Sequence, residues 1–256
     1  MTLEMFALLT RIRIPGATMD LGKAARQQQY FPLVGFVVGL SAAIAAMFLH
    51  SILGSGMYLV SGGLVIVLLY YINGILHTEG MADFADGLMT SGDHDRKTNA
   101  MKDVHCGVGG VFAVVIYLVL MFAIASRLCM SAEDTLALPW LPWGVSVVVG
   151  FAIAEMGGKL ALLTAIRIGP SAHPGMGRTF VEEASLKRLL VAIVIAGAAA
   201  FLISGSFFPI VFVGMFGGLW VALKARKNFG GVSGDAFGAA NEIGRLLTLL
   251  AWVLVI

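Results

Sequence analysis

Five acidic side chains fall within seventeen residues of a chain that carries few charges elsewhere; they are Glu79, Asp83, Asp86, Asp93 and Asp95. The first three are spaced i, i+4, i+7, which places them within about 60° on one face of a helix. Like charges at this spacing repel one another, so the pattern favours a cation bound among them. Mg²⁺ suits it, because this ion takes one or two carboxylates and completes its shell with water and phosphate oxygens. A solvated acidic helix end is the alternative, and Asp93 and Asp95 are expected to be solvated in a polar loop.

Three further segments carry polar residues that suit a phosphate or a hydroxyl group. In NAMKDVHCGVGG, Lys102 and Asp103 precede a glycine-rich entry into an apolar run, and a helix N-terminus of this kind favours anions. The Pro/Gly-rich loop IRIGPSAHPGMGRTF contains Arg178, and GGVSGDAFGAANEIGR places Asp235 at the start of the last apolar run. We expect these four residues on the substrate side of the site. Interfacial anchoring, plain turns and helix capping are the structural alternatives for them.

The composition indicates what kind of scaffold positions these residues. Of the 256 residues, 59% are hydrophobic and 12% are charged, against roughly 25% charged in ordinary soluble domains. This indicates an integral membrane protein. The net charge of +2 is too small to indicate nucleic-acid binding, and the two cysteines form neither a metal pattern nor a disulfide framework.

The hydropathy pattern predicts an all-α integral membrane protein, in which residues 1–256 form a single polytopic helical bundle of about seven transmembrane helices. A helix that crosses a bilayer needs about 20 apolar residues. Residues 1–30 are predicted to form an amphipathic arm in the membrane interface. The fifth and sixth spans are expected to form a tight hairpin. The predicted spans are 33–52, 57–76, 108–130, 140–165, 188–206, 207–223 and 237–256.

The charged residues orient this bundle. Fifteen of the 17 Lys and Arg residues fall on one side of the predicted spans, and cytoplasmic loops carry such an excess. The amino terminus is therefore predicted to be cytoplasmic, in a multi-pass protein of the cell membrane. Twelve of the 15 acids fall on the same side, although the rule for basic residues does not require this. We infer a cytoplasmic site that handles a charged compound, with residues 77–107 as its acidic segment.

Charged residues also occur inside the predicted spans. Such groups are costly in a membrane and usually face a cavity or one another. Glu155 and Lys159 are one helical turn apart, so they are expected to neutralise each other. In the last span, the polar residues either face a cavity with a functional role or form a structural pair of Arg245 with Asn241 or Glu242.

Four segments together resemble the cobalamin synthase family, whose members are also called adenosylcobinamide-GDP ribazoletransferases. They are QQYFPLVGFVVGL, GILHTEGMADFADGL, MKDVHCGVGGV and GGVSGDAFGAANE. They occur in the family's order and extend over nearly the whole chain. The second is similar to the family's hallmark, G-G-x-H-x-D-G-x-A-D-x-x-D-G. Two positions differ: Glu79 stands where the family usually has Asp, and Lys159 stands near a position where Arg is common.

The resemblance implies an activity and a set of site residues. Members transfer adenosylcobinamide phosphate from its GDP-activated form to the ribose 3′-hydroxyl of α-ribazole or its 5′-phosphate, release GMP and require Mg²⁺. The expected catalytic residues are His77, Glu79, Asp83 and Asp86, and the last three are also the expected magnesium ligands. The bound ion would polarise the diphosphate and neutralise the leaving phosphate. The expected partners are these small-molecule substrates and the lipid bilayer.

An ion-coupled transporter and a CDP-alcohol phosphotransferase are the alternatives. Transporters place acids near the membrane midplane, in broken helices of paired repeats. Here the densest acids lie beside a predicted cytoplasmic loop, and no repeat is found. The CDP-alcohol motif has Arg after D-G-x-x-A, where this chain has Asp83. A non-catalytic scaffold would explain none of the motif spacing.

Overall fold

The protein is described by a computed structural model that covers residues 4–12, 20–130 and 143–256. The predicted arm and the start of the predicted span 140–165 fall partly outside these ranges. Within them the regular structure is helical, as predicted, apart from one isolated bridge of two residues. Short 3₁₀ segments occur at Gln28–Tyr30, Ser55–Met57 and Gly205–Phe212. The α-helices are α1 (Glu4–Leu9), α2 (Leu21–Arg26), α3 (Phe31–Leu53), α4 (Tyr58–Asn73), α5 (Leu76–Met89), α6 (His94–Met101), α7 (Val108–Cys129), α8 (Trp143–Ile168), α9 (Met176–Glu182), α10 (Leu186–Ser204), α11 (Gly214–Phe229) and α12 (Gly234–Val255).

Several of these helices are long and apolar enough to cross a membrane. The described residues contain five such helical stretches, or up to six if a bent pair is counted as one span. Four of them contain α3, α7, α8 and α12 and coincide with predicted spans, and the fifth is the 44-residue stretch Leu186–Phe229. A multi-pass helical membrane protein is therefore confirmed, whereas the count of seven spans is not. The predicted seven spans and the five or six helical stretches differ because the chain bends sharply after α4 and reverses within the 44-residue stretch.

The bend interrupts the predicted span 57–76 near its end. α4 ends at Asn73, Gly74 has a φ of 72°, and α5 leaves at 93° to α4. A φ in this region favours glycine, because glycine has no Cβ. The N-terminal arm contacts the corner, where the Arg11 N–H donates to the Ile72 carbonyl oxygen at 2.6 Å. α5 is not one of the helices that could cross alone, and at this angle it runs across the end of the bundle.

The reversal occurs at Gly205, within the 44-residue stretch. Gly205 follows α10 and has a φ of 56°. The 3₁₀ segment after it folds back along α10, since the rings of Phe201 and Phe208 lie 5.8 Å apart. A Cβ placed on Gly197 would lie only 3.0 Å from Cζ of Phe212. The expected hairpin is thus formed by α10 and the 3₁₀ segment, and α11 continues from it to contact α6.

α8 lies at the centre of the bundle: 89% of its apolar window is buried, compared with 28% for α7. Glycines let neighbouring helices approach closely. A Cβ on Gly35 of α3 would lie 2.6 Å from the Glu155 carbonyl oxygen, and a Cβ on Gly158 would lie 2.9 Å from the Asn241 carbonyl oxygen of α12. Small residues are typical of helix contacts in membranes, where close packing must replace the hydrophobic effect.

A buried network of charged side chains joins α8 to α12. Arg245 is 1% exposed, and its guanidinium contacts Glu155 at 2.6 Å and Glu242 at 2.7 Å. Lys159 donates to Asn241 Oδ1 at 2.8 Å, so Glu155 is paired with Arg245 rather than with Lys159 as expected. Arg245 thus lies inside the bundle and not on the cytoplasmic side, where the charge pattern had placed it. Two acids and two bases balance, which makes these charges tolerable inside the bundle.

Candidate active site

α5 crosses the start of α12 at one end of the bundle. A Cβ on Gly80 would lie 2.9 Å from Cα of Asp235, and a Cβ on Gly238 would lie 2.7 Å from the His77 carbonyl oxygen. The two helices can approach this closely because both positions lack a side chain. The acids of α5 are thereby brought beside the carboxylate that opens α12.

α6 and two loops complete the same end of the bundle. Lys97 Nζ donates to Asn228 Oδ1 at 2.6 Å, in the last turn of α11. The loop after α8 pairs with the loop before α12, because the Val232 N–H donates to Pro170 O at 2.7 Å and the Val232 carbonyl accepts from the Ala172 N–H at 2.9 Å. The segments that meet at this end are 77–107, 166–187 and 224–236.

Asp83 lies at the centre of the carboxylate cluster. It is half-buried, and burial together with the charges of Asp235, Glu79 and Asp86 raises its pKa to about 6. Asp235 comes from α12, so the cluster is assembled by the fold and not by the spacing along α5 alone. A carboxylate in this position gains from a cation that relieves the repulsion.

Asp86 has a structural partner in the N-terminus of α7. Its Oδ2 accepts from the Gly107 N–H at 2.7 Å, and its Oδ1 accepts from the Gly110 N–H at 2.8 Å. A Cβ on Gly110 would lie 2.6 Å from Oδ2, so glycine makes room for the carboxylate. Negative charge is favourable at a helix N-terminus. The carboxylate has lone pairs beyond these two bonds, and its role as a magnesium ligand stays a prediction.

The other substrate-side candidates differ in their surroundings. Lys102 is exposed at the end of α6, close enough to the carboxylate that opens α12 to interact with it electrostatically. Asp103 is exposed and bound to its neighbour: the backbone N–H and ring Nδ1 of His105 both lie 2.9 Å from Asp103 Oδ1, and these hydrogen bonds lower the pKa of Asp103. Arg178 is exposed on α9 and donates to Glu182 Oε1 at 2.6 Å. Lys102 therefore lies beside the cluster, while Asp103 and Arg178 are held by their own neighbours.

The first turn of α12 leaves the Asp235 carboxylate free of a capping role. Ser233 caps the helix, since its Oγ accepts from the Ala236 N–H at 3.3 Å and donates to Asp235 Oδ2 at 3.2 Å. His173 also lies close enough to interact electrostatically with Asp235. The sequence reasoning did not place His173 or Ser233 in the site. A lone histidine in a Pro/Gly-rich loop was the signal for the first, but the loop pairing that brings it here is a long-range contact.

His77 lies on the opposite side of α5 from the acids. At 100° per residue it lies about 160° from Glu79, about 180° from Asp86 and about 120° from Asp83 around the helix. It is 7% exposed, and its Nδ1 has no hydrogen-bond partner in the part of the chain that the structure describes. The structure therefore does not bring His77 to the carboxylate cluster, and its expected catalytic role has no support from this geometry.

The carboxylates at this end of the bundle suit Mg²⁺ only if the substrate supplies further ligands. Among the described residues no three His, Cys, Asp or Glu side chains are grouped tightly enough to hold a metal ion by themselves. Magnesium does not need such a cage, because it is usually bound by one or two carboxylates plus substrate phosphates. Burial and, after it, repulsion by neighbouring carboxylates raise the pKa of Asp83, and a bound cation would relieve this repulsion. The residues present therefore fit a magnesium ion that is shared with a phosphorylated substrate.

Comparisons with known proteins agree with one another. The family model described as cobalamin-5-phosphate synthase matches residues 2–253. Proteins named adenosylcobinamide-GDP ribazoletransferase are similar over nearly their full lengths. The one from Thermococcus kodakarensis is 34% identical over 98% of this chain and 97% of its own, and the one from Methanocella arvoryzae is 33% identical over 95% and 91%. The one from Pyrococcus abyssi is 33% identical over 96% and 95%. No solved structure matches this chain significantly.

Proposed function

The chain belongs to the cobalamin-5-phosphate synthase family, and on that premise we propose the reaction that its site performs. It is an adenosylcobinamide-GDP ribazoletransferase of cobalamin synthesis. It transfers adenosylcobinamide phosphate from adenosylcobinamide-GDP to a ribose hydroxyl of α-ribazole or of its 5′-phosphate, and GMP is released.

The carboxylate cluster at the crossing of α5 and α12 is the observation that carries this reaction. Asp83 and Asp235 are far apart in the sequence, yet the fold brings them close enough that, after burial, the charge of Asp235 contributes most to raising the pKa of Asp83. Lys102 provides positive charge beside them. A diphosphate brings several negative charges, so a site for it must combine cations with carboxylates that hold a metal ion.

The chain's own residues have separate tasks in this reaction. The hydroxyl oxygen of the acceptor bonds to the phosphorus on the cobinamide side, and the bond from that phosphorus to the bridging oxygen of GMP breaks. Asp235 accepts the hydroxyl proton, since Ser233 has taken over the capping of α12. Lys102 compensates charge on the diphosphate. Arg178 would first have to leave Glu182, so it contributes less.

We assign the magnesium ion to Glu79 and Asp83. Asp86 lies next to them in the α5 pattern and holds the N-terminus of α7 against α5. When bound, the ion neutralises charge on the diphosphate and on the leaving phosphate. Asp83 is expected to be the more sensitive of the two ligands, because the charges of Glu79, Asp86 and the carboxylate of α12 all act on it.

The proposed topology has seven crossings with a cytoplasmic amino terminus. α4 has 16 residues and spans about 24 Å, and the 3₁₀ segment Ser55–Met57 directly before it adds about 6 Å, so the two together have the length of one crossing. The reversal at Gly205 divides the 44-residue stretch into an outward and an inward crossing. α5, α6, α9 and the loop before α12 then share the side on which the basic residues accumulate, which we assign to the cytoplasmic face of the cell membrane.

Release of GMP tests the proposed reaction. The purified full chain should release GMP from adenosylcobinamide-GDP only when both α-ribazole and Mg²⁺ are present. Omission of the acceptor and addition of EDTA are the controls. GMP release that is independent of the acceptor, or release of CMP from a CDP-activated alcohol at a comparable rate, would contradict the proposal and favour a hydrolase or a CDP-alcohol phosphotransferase.

A further inference from the structure

A mostly apolar cavity of about 140 Å³ lies behind the carboxylate cluster. α1 and α2 cover it, and its walls come from the starts of α3, α5 and α12, the end of α8, and α9. Three phenylalanines line it, Phe31, Phe180 and Phe237, and the rings of Phe31 and Phe180 lie 6.1 Å apart. An apolar cavity of comparable size, about 150 Å³, is known to hold a benzene ring. The cavity therefore has the size and the aromatic lining that suit one flat apolar ring.

Two of the lining residues carry ionisable side chains, His77 and Asp235. His77 is 7% exposed, and its Nδ1 has no hydrogen-bond partner among the described residues. A buried polar atom without a partner is costly, so a ligand that supplies an acceptor would stabilise this histidine. Asp235 joins the cavity to the carboxylate cluster, because it belongs to both.

We propose that this cavity binds the aromatic base of the acceptor nucleoside. Its occupant is a bicyclic base of the benzimidazole type, with one plain six-membered ring and one ring that carries a nitrogen acceptor. The six-membered ring lies among the phenylalanines, and the His77 Nδ1–H donates to the ring nitrogen. The attached ribose then emerges beside Asp235, which receives the hydroxyl proton. This assignment rests on the proposed function and makes His77 a base-binding residue instead of a catalytic one.

In this assignment, His77 faces the cavity from the side of α5 that points away from the acids. α5 separates two compartments: its acidic face meets the diphosphate, and its His77 face meets the base. One helix thereby orients both substrates, which is how positioning contributes to a transfer between two bound molecules. A lipid acyl chain is the competing occupant, but it would leave the buried Nδ1 of His77 without a partner.

Two kinds of substitution test the assignment. Leu162→Phe places a larger side chain in the cavity wall, and Leu163→Phe is the matched control, since Leu163 is equally buried on α8 and does not line the cavity. His77→Leu removes the donor, and His77→Asn restores it, because the Asn amide nitrogen lies where Nδ1 lies in histidine. The measured quantities are the KM values for α-ribazole and for adenosylcobinamide-GDP in the purified full chain, together with the melting temperature.

We expect Leu162→Phe and His77→Leu to raise the KM for α-ribazole roughly tenfold or more, with the KM for adenosylcobinamide-GDP unchanged. His77→Asn should return it close to the original value, and Leu163→Phe should leave it unchanged. In Leu162→Phe, the KM should rise less for the riboside of unsubstituted benzimidazole than for α-ribazole, because the unsubstituted base is smaller. Equal changes for both substrates, or none for α-ribazole, would overturn the assignment while the transferase activity still stood.

A direct binding measurement separates this assignment from the proposed function. Radiolabelled 5,6-dimethylbenzimidazole is equilibrated with the full chain without donor and without Mg²⁺. We expect binding that Leu162→Phe abolishes and Leu163→Phe retains. If the original chain transfers nothing but binds the base in this way, the proposed reaction fails and the cavity assignment stands. Absence of base binding to the original chain would overturn the assignment. So would a Leu162→Phe protein that has lost a co-purified lipid but still binds the base as the original chain does.

Discussion

Asp86 and Asp83 should respond in opposite ways to the same isosteric substitution. The Asp86 carboxylate accepts from two backbone N–H groups, of Gly107 and Gly110, at 2.7 and 2.8 Å. Asp86→Asn keeps one acceptor oxygen and turns an NH₂ group toward the other N–H. A hydrogen bond to a charged acceptor contributes about 1.5–3 kcal/mol, so the loss of one bond and the weakening of the second should cost about 2–4 kcal/mol. For a chain of this size the melting temperature should fall by roughly 5–15 °C.

Asp83→Asn is the matched comparison, because the change of shape is the same. Burial and neighbouring carboxylates raise the pKa of Asp83 to about 6, so the folded protein holds this proton more tightly than the unfolded chain does. The ionised carboxylate therefore destabilises the fold above pH 6, and removing its charge should leave the melting temperature at pH 7.5 unchanged or slightly higher. Gly110→Ala is a second test of the same contact. The added Cβ would lie 2.6 Å from Asp86 Oδ2, so this variant should lower the melting temperature as Asp86→Asn does.

Thermal unfolding followed by circular dichroism in detergent, with EDTA present, is the assay. EDTA removes the metal, so any loss in Asp86→Asn must come from the contacts with α7. If Asp86→Asn melts like the original chain in EDTA and is less stable only in Mg²⁺, Asp86 acts as a metal ligand and the capping interpretation is refuted. If Asp83→Asn is destabilised as strongly as Asp86→Asn, the two carboxylates do not have separate roles.

Four further predictions concern the donor site, the metal, the buried network and the topology. Lys102→Ala should raise the KM for adenosylcobinamide-GDP roughly tenfold and leave that for α-ribazole unchanged; equal effects on both would return Lys102 to an anchoring role. As the pH falls below about 6, protons should compete with Mg²⁺ at Asp83, so the Mg²⁺ concentration for half-maximal GMP release should rise; a Mg²⁺ requirement that is the same at pH 5.5 and pH 7.5 would contradict this. Arg245→Met leaves two buried carboxylates without their partner and should cost about 3–5 kcal/mol, measured as loss of folded protein after heating. A cysteine at Ser91 should react with an impermeant thiol reagent only in inverted vesicles, and a cysteine at Ser206 only in intact cells; the reverse pattern would overturn the proposed orientation.

The amino-acid sequence predicts the helical class and most of the crossing helices, because runs of about 20 apolar residues are a local property. The charge pattern also predicts which segments lie together, and the structure brings them to one end of the bundle. The bend at Gly74 was not predicted, since the apolar run continues to residue 76 and a glycine alone does not distinguish a bend from a straight helix. The reversal at Gly205, in contrast, was predicted as a tight hairpin between the fifth and sixth spans, and only the packing of Phe212 against Gly197 was not visible in the sequence.

The candidate site was predictable where it depends on helical spacing, and not where it depends on contacts between distant segments. Spacing alone places Glu79, Asp83 and Asp86 on one face of α5. The contribution of Asp235 required the crossing of α5 and α12, which two glycines permit. The hydrogen bonds that the start of α7 donates to Asp86 depend on the chain between α5 and α7 folding back toward α5. Pairing of Glu155 with Lys159 was expected from the local spacing, but the structure pairs Glu155 with Arg245 of α12 and Lys159 with Asn241.

The claim that the acidic cluster is a magnesium-dependent active site is tested most directly by GMP release from adenosylcobinamide-GDP in Asp83→Asn. Asp95→Asn is the control, because Asp95 is an exposed acid of the same segment. With saturating α-ribazole and Mg²⁺, Asp83→Asn should release GMP on the order of a thousandfold more slowly than the original chain, since a loss of several kcal/mol of transition-state stabilisation is expected. Asp95→Asn should be unaffected. An Asp83→Asn protein that melts normally and still releases GMP at a near-normal, magnesium-dependent rate would contradict the account.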